Sequence, residues 1–156
     1  VSVTLLALII GVVAGMRAMM APAAASWAVT AHPLDPNSWL AIMGYRWTPW
    51  VFSLLSLGEL VTDQLPSTPS RKVPQQFAAR IVMGALSGAT IGAIEGMAAA
   101  GAGLGIVGAL IGTYGGAAAR AWLAGRFGRD WPAALIEDAV AIGLSVWVVC
   151  AVTPVA

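Results

Sequence analysis

The sequence predicts an all-α, polytopic integral membrane protein, and three observations carry that reading. Of 156 residues, 59% are hydrophobic and 10% charged, where soluble domains carry about 25% charged residues. Mean hydropathy is +0.84, more apolar than the surface of a soluble fold of this size allows. The apolar residues also come in long continuous runs, the pattern of helices rather than the alternation of barrel strands.

A spanning helix needs about 20 mainly apolar residues, and five stretches meet that length. The first covers 1–29. It carries Arg17 and is too long for a signal peptide, so it is read as part of the membrane domain. The chain begins at Val1 rather than Met, so a few residues are expected to precede it. Gly15-Met16-Arg17 followed by Pro22 is a point where this stretch can break into half-helices or a re-entrant loop. The second stretch, 48–65, follows a polar segment containing Pro33 and Pro36. The third, 77–99, follows the Pro66 to Pro74 loop. The fourth, 104–123, follows only the uncharged segment 98–103, read as a turn. The fifth, 131–152, follows the charged segment 125–130. Residues 1–156 form a single membrane domain.

Five crossings place the N-terminus and the 66–76 and 124–130 loops on one face. That face collects Arg71, Lys72, Arg126 and Arg129, whereas the other has Arg46 and His32. Cytoplasmic loops are enriched in Lys and Arg, so this reading puts the N-terminus in the cytoplasm and the C-terminus outside. Trp39, Trp47, Trp50, Trp122 and Trp131 fall near segment ends, as interfacial aromatics do.

Glycines repeat at four-residue spacing. Gly84, Gly88, Gly92 and Gly96 lie in the third stretch. Gly108, Gly112 and Gly116 lie in the fourth, after Gly101 and Gly105. Such rows share a helix face and let another backbone approach closely. The third and fourth helices are therefore expected to pack as an antiparallel glycine zipper. A self-association face and a sliding interface are the other readings of the same rows.

The charges inside the apolar stretches are the most informative residues. Glu59 and Asp63 stand one helical turn apart on one face, and Glu137 and Asp138 open the fifth stretch. Arg80 and Arg120 approach the same depth, and Arg17 lies deeper. An uncompensated charge there costs about 3 kcal/mol or more, so these groups pair with one another or line a wet cavity. Two readings stand. Glu59, Asp63, Glu137 and Asp138 bind or relay an ion or solute, with Arg17, Arg80 and Arg120 as counter-charges. Alternatively, the same groups form fixed ion pairs that only specify packing.

Other chemistries find little support. The single histidine, His32, lies in a polar segment, so no Ser/His/Asp arrangement and no catalytic residues are expected. Met16, Met19 and Met20 read as apolar filling rather than a soft-metal site. The lone Cys150 provides neither a disulfide framework nor a cysteine metal site, and no metal or cofactor is expected. A net charge of +1 leaves no basic face for nucleic acid.

Three blocks, Gly15-Met16-Arg17-Ala18, Gly58-Glu59-Leu60-Val61-Thr62-Asp63-Gln64-Leu65-Pro66 and Ile136-Glu137-Asp138-Ala139-Val140-Ala141-Ile142-Gly143, together resemble a family of small bacterial integral membrane proteins known only as a domain of unknown function. The resemblance implies a multi-pass protein of the bacterial inner membrane and carries no activity with it. The Glu59 to Asp63 pair is also similar to the acidic helix motif of cation/proton exchangers, although here Gln64, not a basic residue, follows the pair. The leading functional expectation is a small-solute or ion transporter or channel, not an enzyme, working in the lipid bilayer as a homo-oligomer. The runner-up is a structural or accessory subunit of a larger membrane complex, and the third reading is an enzyme at the membrane interface.

Overall fold

The computed structural model describes residues 1–63 and 73–152. These form six α-helices and no strands: α1 (Val3–Met16), α2 (Met20–Ala31), α3 (Thr48–Thr62), α4 (Pro74–Ala93), α5 (Ala98–Phe127) and α6 (Asp130–Val152), with a 3-10 helix at Trp39–Gly44 before α3. Local signals place the boundaries. Ser2 caps α1, its hydroxyl accepting from the Leu5 amide. α3 and α4 open on Pro49 and Pro74, where a missing N–H costs nothing. α5 stops at Gly128, whose φ of 66° is left-handed.

Side-chain and backbone contacts fix the direction of each helix. Gly11 and Gly15 of α1 meet Gly105 and Ala109 of α5, so these two run parallel. Gly84, Gly88 and Gly92 of α4 meet Gly105, Gly101 and Met97, so α4 runs antiparallel to α5. α6 returns alongside α5, Arg120 reaching both Asp130 and Glu137. α2 runs with α6, and His32 just past its end bonds the Val152 carbonyl at 2.8 Å. α3 runs against α2, joined to its start by Glu59 and to its middle by Trp27. The six helices therefore alternate in direction.

The first apolar stretch thus folds back on itself instead of crossing once. Its two arms, 14 and 12 residues long, meet at Arg17-Ala18-Met19. Pro22 has no amide hydrogen to return to residue 18, so a helix can begin just before it but cannot run through it. One consequence corrects the expected topology. Val3 and Val152 lie at the same end of the bundle, with the 3-10 helix, and not at opposite ends. The turn at Gly128 lies at the other end, with Arg126 and Arg129, and the break and the end of α3 lie partway toward it, level with Thr113 and Asp138. The basic segment 71–72 lies outside the described residues.

Five helices long and apolar enough to cross a membrane are not found among the described residues. Two helices, α5 and α6, are each long and apolar enough to cross a membrane. α3 has 15 residues, and α4 has 20 but includes Gln75, Gln76 and Arg80. The segment 98–103, read as a turn, is instead the first turns of α5. The reversal comes earlier, at 94–97, where Gly96 takes a φ of 73°.

The core lies among α1, α4 and α5, where Leu6, Ile10, Val13, Ile91 and Ala109 are buried. The glycine register differs from the expected one. Gly84, Gly88 and Gly92 pack on Gly101 and Gly105, whereas Gly108 and Gly112 pack on Val12, Gly11 and Gly15 of α1. A methyl group on Gly105 would lie 2.0 Å from the Gly84 carbonyl oxygen, and one on Gly112 2.1 Å from that of Val12. Gly96 meets nothing within 4 Å, because it forms the turn. Gly116 is half-buried. α5 therefore carries two glycine faces for two neighbours, which a single row of four-residue spacing does not reveal.

Candidate functional site at the α1–α2 break

α1 ends where Arg17 leaves helical geometry, with φ −139° and ψ 107°. The break leaves two helix ends inside the protein, carbonyls of the last turn of α1 and amides of the first turn of α2. Each end receives a side chain of the sign its dipole favours. Nη1 of Arg80, from α4, donates to the carbonyls of Gly15 (3.0 Å) and Met16 (2.6 Å). The carboxylate of Glu59, from α3, accepts from the amides of Ala18 (2.7 Å) and Met19 (2.8 Å). Thr113 of α5 adds a bond to the Gly15 carbonyl at 3.3 Å. The two capping groups are close to each other, Arg80 Nη2 standing 3.9 Å from Glu59 Oε1.

Arg17 has no exposed surface, and its guanidinium is shared between two helices. Nη1 pairs with Asp63 at the end of α3, and Nη2 and Nε both donate to Oδ1 of Asp138 on α6, Nε at 2.8 Å. Two carboxylates from different elements offset the cost of burying the cation. A second group lies beside the first. Arg120 Nε donates to Asp130 at 2.9 Å, and its Nη1 stands 3.4 Å from Glu137.

The residues expected to act together form two neighbouring hydrogen-bonded groups, with Asp63 of the first also in electrostatic reach of Arg120. Glu59, Asp63 and Asp138 meet Arg17 and Arg80 at the break, while Glu137 and Arg120 form the neighbouring pair. Glu137 and Asp138 are adjacent in sequence yet serve different arginines, because consecutive helical side chains diverge by about 100°. Sequence reasoning missed Asp130, which reads as a loop residue but opens α6. It also missed Gly11 and Gly15, although their four-residue spacing runs into the Arg17 motif. The capping roles of Glu59 and Arg80 had no sequence signal, since the helix ends they serve are tens of residues away.

His32 holds the far end of α2 to α6 and is remote from this cluster. Among the described residues no group of three or more His, Cys, Asp or Glu side chains is disposed to hold a metal. The fold and site thus define a helical protein with two candidate membrane-spanning helices and a buried charge cluster at a helix break. No family model, curated protein or solved structure matches the chain.

Proposed function

We propose that this is a membrane transporter or channel for protons or small cations, with the charged break between α1 and α2 as its binding site. One observation carries the reading: an unwound segment inside the bundle gathers charged side chains from α3, α4 and α6. Interrupted helices with ionisable partners form the substrate sites of many transporters, because freed backbone groups and charges are tolerated in a membrane where they serve a pathway.

The placement in lipid rests on the outer surface. Trp131 and Trp147 of α6 are exposed, and 16 residues of helix separate them by about 24 Å, close to the thickness of a bilayer's hydrocarbon core. The exposed residues between them include Leu135, Ile136, Val140, Ile142 and Val146, an apolar band suited to lipid. Asp138 then lies about 10 Å inside the band edge marked by Trp131. With α5 and α6 as full spans, α1 and α2 form a re-entrant hairpin, and α3 and α4 complete the wall. The end bearing Arg126 and Arg129 faces the cytoplasm, so Val3 and Val152 both face outward. This replaces the cytoplasmic N-terminus with an external one. Homo-oligomerisation remains part of the proposal. It cannot use the glycine rows of α4 and α5, which are filled within the chain, so the outer faces of α3 and α6 are assigned to it.

The test is proton and monovalent-cation flux in proteoliposomes, for the parent and for Asp63→Asn. The proposal expects flux in the parent and its loss in a variant that still folds. Absence of flux for every ion with the folded parent would remove the transport reading and favour an accessory role.

A further inference from the structure

α3 has its polarity turned inward. Ser53, Ser56, Glu59 and Asp63 follow at intervals of three and four, one face of a helix, and Ser56 is buried while Ser53, Glu59 and Asp63 are partly so. The opposite face carries Trp50, Val51, Leu54, Leu55, Leu57 and Val61, all exposed. A helix that only filled space in lipid would have no use for a polar inner stripe, since each hydroxyl needs a partner there.

The inner stripe lies along α2. Glu59 meets the start of α2 through the Ala18 and Met19 amides, and Ser53 accepts from Trp27 Nε1 at 3.1 Å. Ser26, next to Trp27 in the sequence, has no exposed surface, and its Oγ has no hydrogen-bond partner among the described residues. Ser53, Ser87, Thr90 and Ser145 each donate to the carbonyl four residues back, and Ser26 does not make that bond to Pro22. A buried hydroxyl left open is a position for water.

We infer that the seam between α2 and α3 is a hydrated approach to Glu59, admitting water and protons past Ser26 and Ser56 to the charged break. A file of water along it would carry protons, each water oxygen accepting one hydrogen bond and donating another, so that a proton taken up at the outer end is matched by one delivered to the Glu59 carboxylate. The inference rests on the transport reading for its purpose but not for its test.

The test uses silver ion, a thiol-reactive cation small enough for a passage of water width. Ser26→Cys and Ser56→Cys are made in a Cys150→Ala background and reconstituted in lipid, with Leu54→Cys as the lipid-facing control. Thiol loss is followed by mass spectrometry and folding by thermal unfolding. The inference expects loss of the thiols at 26 and 56 while that at 54 persists. Protection of both equal to that of 54, in folded protein, overturns it even if the parent conducts. Reaction at 26 and 56 in a protein without flux upholds the hydrated seam and removes transport. Should Ser26→Cys fail to fold, Ser56→Cys alone decides between the same results.

Discussion

The two sides of the bundle are held together by different physics. Between α1, α4 and α5 the backbones touch: nine glycines remove side chains from the contact, and a methyl group at any of them would fall within 3 Å of a neighbour. Between α2, α3 and α6 the helices stand further apart. α3 buries only Pro49 and Ser56, a groove of about 480 Å³ separates α2 from α6, and directional bonds through Arg17, Glu59 and Trp27 make the connection. Dispersion between close backbones holds a helix at one distance. A few charge-assisted bonds can exchange partners without loss of the fold. The contrast assigns rigidity to the first side and any functional movement to the second.

The largest expected effect breaks the rigid side. Gly105→Leu forces α4 and α5 apart at their closest point, and overpacking of this size prevents folding or costs more than the ordinary 1–3 kcal/mol. Thermal unfolding in detergent reads the result. Gly115→Ala and Gly103→Ala sharpen the comparison, because neither glycine has a neighbour within 4 Å. Each should be neutral or raise stability by up to about 1 kcal/mol through helix propensity.

On the polar side, Arg17→Met should rank next. It leaves Asp63 and Asp138 without their shared cation, a loss of about 3–5 kcal/mol for a buried pair. Arg120→Gln should cost less than Arg17→Met. Its partner Asp130 is mostly exposed, but Glu137 at 3.4 Å is buried, so the loss should lie between the ~1 kcal/mol of an exposed pair and the ~3–5 kcal/mol of a buried one. If Arg120→Gln were as damaging as Arg17→Met, the two charge groups would be one network, and the separate roles given to Glu137 and Asp138 would be wrong.

The fold-back of the first stretch is tested from outside. Single cysteines at Val3 and Phe127, in a Cys150→Ala background, should label from opposite sides of the membrane. Labelling from the same side would restore an odd number of crossings.

How much of this was legible in the sequence follows from the range of each signal. Helix content is written locally, in apolar runs and in proline and glycine positions, and it could be read. The close approach of α4 and α5 was legible in Gly84, Gly88 and Gly92. Its register was not, since Gly101 to Gly112 fits one partner as well as two. The reversal at Arg17 was marked by Gly15, Arg17 and Pro22 as a break, but whether the chain turns back is decided by what lies beyond it. The bonds from Glu59, Arg80 and Thr113, carried on helices distant in sequence, make both buried helix ends tolerable. Charge balance along the chain likewise could not fix topology, because a re-entrant hairpin and a single crossing leave the later loops on the same face.

The most direct test of the central claim pairs flux with stability in one variant, Glu59→Gln. The amide keeps the size of the side chain but accepts from only one of the Ala18 and Met19 amides, so thermal stability should fall by about 1–3 kcal/mol, the cost of one buried donor left unpaired. Proton or cation flux in proteoliposomes should be lost, because the titrating carboxylate is gone. A variant that conducts like the parent would contradict the account and leave Glu59 as a helix cap alone.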